Sequence, residues 1–406
     1  MNPNTSINAA RKQGVSRVMS KPALVLAIAG VSALGLVGCS SSEEDSGTIK
    51  VAVVGDMTGS GAAVAGPLDA GFRTYIRSVN DSGGVNGTTI ELPSTFDTQS
   101  DATTARSQYE RALADSPIAL ANLALTSQIQ AGIPVLTTAD TPVLSAGPES
   151  TLLGPPPVPW FFSITAGVQT QAELQVAKAQ QLLGGSLTGK KIAIVYVETP
   201  GGEAWMKSAR TQIEAAGATV INPVPAPLQL TSFPQAAPLA AAAPDLVMTF
   251  FFGNDNVPGF QALQDAGYSG PIVANVSVTA SILERAKNPN IYAMSYNPMV
   301  PPAAVSKAIS DAGYGNFAND PWAEVGYGQA AVLVEALETC GEDCDTASLM
   351  SSLQDVRDFN TPEGVFDGVL GFSADDHTAV NAVSFYTWSS AGVTPSGDLV
   401  TRKSVG

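Results

Sequence analysis

The chain has 406 residues, 45% hydrophobic and 14% charged, with 20 Lys and Arg against 36 Asp and Glu and a formal net charge of −16. So acidic a balance excludes a polyanion binder, which needs clustered cations to displace counterions from phosphates, and no nucleic acid partner is expected. Three cysteines and one histidine leave little for metal or thiol chemistry, so neither a metal nor a cofactor is expected.

The first recognisable segment is a leader. Arg11, Lys12, Arg17 and Lys21 carry its charge with no acidic residue, Pro22 to Gly38 is uncharged, and Leu36-Val37-Gly38-Cys39 closes it. The stretch is short for a membrane span, which needs about 20 apolar residues, and small residues before a cysteine suit cleavage. The run resembles the bacterial lipobox. That resemblance implies a signal peptide over 1–38, lipidation at Cys39, and a solvated tether over 39–47 holding Glu43, Glu44 and Asp45. Removing 1–38 takes four of the 20 basic residues and none of the 36 acidic ones, leaving 16 against 36, a net charge of −20. The mature protein would then work outside the cytoplasm, in the periplasm or on the outer face of the cell membrane, touching the membrane through its anchor only. About 360 residues remain, more than one core usually serves, so two domains are expected.

Thr48 to Val54 reads as a buried strand and leads into the turn-rich Gly55-Asp56-Met57-Thr58-Gly59-Ser60-Gly61. Leu68, Phe72, Tyr75, Ile76 and Val79 then fall on one helical face, and Gly83-Gly84-Val85-Asn86-Gly87 stops that helix before a strand at Thr88 to Leu92. Ser100 is a candidate cap for a helix presenting Ala105, Tyr109 and Leu113. Further strands are predicted at Ile133 to Leu136, Lys191 to Val197, Thr219 to Val224, Asp245 to Phe252 and Pro271 to Asn275, with helices at Gln171 to Leu183, Gly202 to Ala216 and Pro258 to Ala266. Later helices fall at Pro302 to Ala312, Ala323 to Leu337 and Thr346 to Leu353, and a strand at Ala382 to Trp388 closes the chain. Such alternation predicts an α/β fold with parallel sheets covered on both faces. The proline-rich runs Gly154 to Pro159 and Asn297 to Pro302 read as crossings between packed lobes.

Catalytic patterns fail. Gly184 to Lys191 falls one residue short of a phosphate loop, and it ends a helix where such a loop must open one. The glycines at 55, 59 and 61 lack dinucleotide spacing and read as a tight turn near a ligand. A serine hydrolase would have to use His377, yet there is no G-x-S-x-G elbow, and Asp375-Asp376-His377-Thr378 reads as a polar turn. With Cys39 lipidated, Cys340 and Cys344 remain, and a local disulfide is their natural reading in an oxidising compartment.

Taken in order, Ile49 to Gly59, Gly83 to Gly87, Phe96-Asp97-Thr98, Lys190 to Tyr196, Pro244 to Val247, Ala266-Gly267-Tyr268 and Gly368 to Trp388 resemble the leucine/isoleucine/valine-type solute-binding proteins of ABC transporters. The resemblance implies a type I periplasmic binding protein, with two doubly wound Rossmann-like lobes joined by three crossings and a ligand cleft between them. The crossings are expected near Ser163, Ala293 and Phe372. Lobe 1 would comprise 48–163 and 294–372, lobe 2 would comprise 164–293 and 373–395, and 396–406 would be a tail. Function would be capture of a small polar solute and delivery to ABC permease subunits by a monomer, with no bond made or broken. A sensor of the same fold and an extracellular enzyme are the rivals.

By the same resemblance, Thr126 and Ser127 are the candidates for a hydroxyl loop on the ligand, and Ala139 with Thr141 fall where the family holds a ligand carboxylate. Tyr196, Phe252 and Tyr327 are the aromatic candidates. Only 14 residues separate Ile118 from Ile133, too few for the family's strand, turn and full helix at 1.5 Å rise per helical residue. The acid that meets an amino-acid ammonium is replaced by Asn275-Val276-Ser277. Either Glu198 or Asp255 supplies that charge, or the ligand is not a simple branched-chain amino acid.

Overall fold

The structure is a computed structural model that describes residues 47–402. The signal peptide over 1–38, the lipidation at Cys39 and all of the tether except Gly47 lie outside the described residues. Among the described residues no helix is long and apolar enough to cross a membrane.

The first half winds through β1 (Ile49–Gly55), α1 (Ala62–Asp81), β2 (Ile90–Glu91), β3 (Phe96–Asp97), α2 (Ala102–Ala114), β4 (Ala119–Leu123), α3 (Thr126–Leu136), β5 (Val143–Ser145), α4 (Ser150–Leu153) and β6 (Phe161–Ser163). Its strands form one parallel sheet in the order β2-β1-β4-β5-β6, with β3 also on β1. The chain then runs through α5 (Val168–Leu182), β7 (Lys191–Val197), α6 (Pro200–Ala215), β8 (Thr219–Ala226), α7 (Ala236–Ala241), β9 (Leu246–Phe250), α8 (Asn256–Asp265), β10 (Ile272–Ala274), α9 (Ala280–Ala286) and β11 (Ile291–Ser295). After α10 (Ala303–Ile309), α11 (Pro321–Cys340) and α12 (Thr346–Asp355), the strands β12 (Ala382–Ser389), β13 (Gly392–Pro395) and β14 (Val400–Thr401) complete a second sheet ordered β13-β12-β11-β10-β9-β7-β8. Strands β7 to β11 are parallel, and β12 joins them antiparallel.

Helix α11 belongs to the first sheet although it lies far along the chain. A Cβ on Gly71 would stand 1.8 Å from the Ala323 carbonyl oxygen and one on Gly326 2.0 Å from that of Leu68, so only glycine lets α1 and α11 cross this closely. Gln329 of α11 then donates Nε2 to the carbonyls of Asn122 on β4 (3.4 Å) and Leu144 on β5 (2.8 Å). Gln175 repeats the device in the second lobe, donating to Thr249 on β9 and Val273 on β10 (3.2 Å each) and accepting from the Trp205 indole at 2.7 Å. The Trp205 side chain is fully buried, which contributes about 2 to 3 kcal/mol.

Several expectations need correcting. Ile133 to Leu136 is the end of α3, not a strand. The segment after Ile118 is therefore complete, with β4, a turn, an 11-residue helix and then β5, and it is not shortened. Asp101, rather than Ser100, caps α2, its carboxylate accepting from Thr104 N. The proline run at 154–159 links α4 to β6 inside the first lobe and is no crossing. Ala293 lies within β11, paired with Tyr386, and the chain leaves the second sheet only after Ser295. Residues 396–406 are not wholly a tail, because Val400 pairs with Val383 and is buried.

His377 is buried where two chain segments between the sheets meet. Ser163 N donates to His377 O and Ala379 N to Ser163 O, both at 2.8 Å, so two crossings run side by side. The imidazole stacks on Phe162 with centroids 4.1 Å apart and holds Phe161 O through Nδ1. Burial pushes its pKa below the usual histidine value, against the pull of its backbone hydrogen bonds and of Asp376. Cys340 and Cys344 are joined as a disulfide at the end of α11.

Candidate functional site

In open parallel sheets ligands bind beyond the carboxyl ends of the strands. The first lobe organises that edge around Asp56, which follows β1 and is fully buried. Its carboxylate accepts from Gly59 N (3.0 Å), Gly61 N (2.8 Å), Ser100 N (2.9 Å), the Ser100 hydroxyl and Gln128 Nε2 (3.2 Å). Burial alone would raise its pKa, but these hydrogen bonds outweigh it and hold the carboxyl below the usual range. A Cβ on Gly59 would sit 2.3 Å from one carboxylate oxygen and one on Gly61 2.6 Å from the other, which is why this turn is glycine-rich. Gln128 also accepts from Leu125 N and Thr98 Oγ1, so one amide ties the start of α3 to β1 and β3. Asp97 binds Met57 N, Thr58 N and the Thr58 hydroxyl likewise.

This network places Leu125, Thr126 and Ser127, all exposed, at the turn from β4 into α3. Ala139 and Thr141 are not with them. They precede the amino end of β5, with the buried Thr141 hydroxyl on Ala139 O at 3.2 Å, on the far edge of the sheet from Thr126. The residues that follow the carboxyl end of β5 are Ala146 and Gly147, a position that only recognition of α3 as a full helix would have revealed. Tyr327 also drops out, because it is buried between α1 and α11, edge-on to Tyr75 at 4.8 Å.

In the second lobe Glu198 stands exposed just past β7. Tyr196, inside β7, packs partly buried against the core, and desolvation, then Glu203 and Glu198, raise its pKa. Phe252 lies two residues past β9, 42% exposed, edge-on to Phe250. Asn275 and Ser277 meet below it. The Ser277 hydroxyl lies 2.5 Å from Phe251 O and 3.0 Å from Asn275 Oδ1, and it accepts from Asn256 Nδ2 at 3.2 Å. Asp255 accepts from Gln229 N and Leu230 N, which fixes the loop after β8.

Behind the hinge lies a carboxyl that sequence reasoning missed. Glu324, in the first turn of α11, is 1% exposed, and neither oxygen has a hydrogen-bond partner among the described residues. Burial first, then Asp367 and Asp320, push its pKa up to about 8, with the Asn297 side chain pulling the other way. Asn297 itself donates to Val365 O at 2.6 Å. Asp367 accepts from the Tyr386 hydroxyl at 3.0 Å. Among the described residues no group of three or more His, Cys, Asp or Glu side chains is placed to hold a metal.

The chain that builds these two α/β sheets matches the model of one family over residues 48–393. The chain belongs to the periplasmic binding protein family. Solved structures share the fold of this binding protein. An ABC transporter substrate-binding protein from Sphaerobacter thermophilus is 20% identical with a TM-score of 0.72, over 88% of this chain and 98% of its own. A fatty acid ABC transporter substrate-binding protein from Thermomonospora curvata is 19% identical with a TM-score of 0.68, over 88% and 93%. The branched-chain amino acid transporter substrate-binding protein of Streptococcus pneumoniae, in complex with isoleucine, is 20% identical with a TM-score of 0.66, over 87% and 100%. No protein of curated function shows significant sequence similarity to the chain.

Proposed function

We propose that this periplasmic binding protein captures a small solute between its two lobes and hands it to the permease of an ABC importer, held at the membrane by a lipid on Cys39. One observation carries the reading. Exposed groups from both sheets stand at strand carboxyl ends, Thr126 and Ser127 past β4 against Glu198 past β7 and Phe252 past β9. The two hydroxyls sit at the amino end of an 11-residue helix, where backbone N–H groups and the helix dipole favour a carboxylate or another strong acceptor. Ala146 and Gly147, past β5, take the place first expected for Ala139 and Thr141. The lobes close by hinge motion along the paired crossings at Ser163 and Thr378.

Mass spectrometry of solute released from gently purified protein tests the reading directly. A bound solute at 100 times its dissociation constant should add about 2.7 kcal/mol to stability. Thr126→Ala with Ser127→Ala should weaken binding about tenfold, equivalent to losing one or two hydrogen bonds. Unchanged affinity in that double variant sinks the assignment of the hydroxyls. Mature protein from the native host with an unmodified Cys39 sinks the anchor.

A further inference from the structure

Among the described residues the chain passes between the two sheets three times, from β6 to α5, from β11 to α10 and from α12 to β12. The last two passages are bonded to each other. Asp367 N donates to Tyr296 O at 2.8 Å, Asn297 Nδ2 donates to Val365 O at 2.6 Å, and the Tyr386 hydroxyl of β12 donates to Asp367 at 3.0 Å. Tyr296 also reaches the first passage, its hydroxyl donating to Ala166 O at 3.1 Å.

Helix α11 underlies this junction. Glu324 and Gly328 are one turn apart and share a face. A Cβ on Gly328 would stand 2.4 Å from the Phe366 ring and 3.3 Å from Val365, so that face lies directly against the last passage. Glu324 is 1% exposed, and neither of its oxygens has a hydrogen-bond partner among the described residues. The charges that act on it carry its own sign, Asp367 from the last passage and Asp320 from the cap of its own helix. The elements packed on α11 bring it no cation among the described residues. On α1, Asp69 pairs with Arg73 and Arg77 with Asp81, and β5 has no ionisable side chain. On α12 the only ionisable group is Asp355, exposed and 4.0 Å from Arg357, and Glu363 bears on Tyr327.

We infer that Glu324 is a proton-controlled latch: protonated, it lets the passages at 295–297 and 365–367 seat on α11, and once its proton has gone to solvent they lift locally from the helix. Coupling between the lobes then slackens. A bare carboxylate without donors is strongly disfavoured in such packing, and lifting the last passage both removes Asp367 and admits water. Burial first, then Asp367 and Asp320, push the Glu324 pKa from 4.5 up to about 8. The seated packing is therefore fully favoured below pH 4.5, weakens as pH rises and gains nothing from this group above about 8. Such regulation goes beyond the solute-binding reading and does not depend on it.

The test is amide hydrogen exchange by mass spectrometry on the mature protein, wild type beside Glu324→Gln, compared at each pH so that the intrinsic pH dependence of exchange cancels. Between about pH 5 and about pH 8, exchange in peptides covering 295–300 and 363–369 should rise at least about tenfold in wild type relative to the variant. These peptides should exchange faster than those of β1 and β7. Urea below the unfolding range should leave their exchange unchanged, because a local opening exposes little surface. A ratio of wild type to variant that stays level overturns the inference. So does exchange that keeps pace with β1 and quickens with urea, since Glu324 would then ionise only on global unfolding. Carbon-13 NMR of glutamate-labelled wild type decides the matter even where Glu324→Gln does not fold. One glutamate carboxyl should titrate in step with the loss of protection, and the absence of any that titrates above about pH 6 overturns the inference.

Discussion

Asp56 and Glu324 are carboxylic acids both closed off from solvent, at 0 and 1% exposure, but Asp56 lies among loops at a sheet edge and Glu324 deeper in the packing, and their pKa values shift in opposite directions. Asp56 sits where three loops converge and collects hydrogen bonds from all of them, so its charge is stabilised and its pKa lowered. Glu324 sits at a helix start behind the hinge, among Asp320, Asp367 and Asn297, and holds its proton up to about pH 8. Depth of burial and the donors presented to a carboxyl therefore decide its charge together. The first arrangement ties three loops together at the carboxyl edge of the first sheet, whereas the second leaves an acid at the start of α11 whose ionisation opposes the packing around it.

Substitutions should separate the two sites by size and by pH dependence. The largest effect is expected for Asp56→Ala, which strands the backbone donors of Gly59, Gly61 and Ser100 and should cost about 3 kcal/mol in urea unfolding with little change in slope. A loss under about 1 kcal/mol would mean that these loops do not depend on this carboxylate. Next comes Glu324→Gln. A carboxyl whose pKa rises from 4.5 unfolded to about 8 folded contributes stability that is full below pH 4.5, falls as pH rises, and is gone above about 8. The glutamine variant should lack that decline and be more stable than wild type by on the order of 2 kcal/mol at pH 7. Parallel stability curves from pH 4 to 9 would show that Glu324 is ionised in the folded protein. The smallest effect belongs to Gln128→Leu, which removes one of several donors to Asp56 and the acceptor for Thr98 and Leu125, at about 1 kcal/mol. Should it cost as much as Asp56→Ala, the network would act as one cooperative unit.

Among the elements legible in the sequence were those with strong periodicity. The apolar run at β1, the 3.6-residue spacing of Leu68, Phe72, Tyr75, Ile76 and Val79, and the strand at Lys191 to Val197 all appear where local pattern placed them. Ile133-Pro134-Val135-Leu136 misled because a short apolar run with β-branched residues suits a strand or a buried helix end equally, and neither period nor length separates them. That one misreading carried Ala139 and Thr141 to the wrong edge of the sheet and made a complete segment look shortened.

The sequence by itself determined the α/β class, the acidic character and the failure of catalytic motifs, because these depend on composition and local periodicity, whereas Thr126 and Phe252 were reached only through the family resemblance. Tertiary structure decided which polar groups remain available. Asp56 lies 44 residues from Ser100 and 72 from Gln128, and Tyr327 meets Tyr75 only because α11 returns to α1. Burial and hydrogen bonding arise from neighbours distant in sequence, so only the folded chain shows that Asp56 is committed, that Tyr327 is core and that Glu324 is without a partner among the described residues.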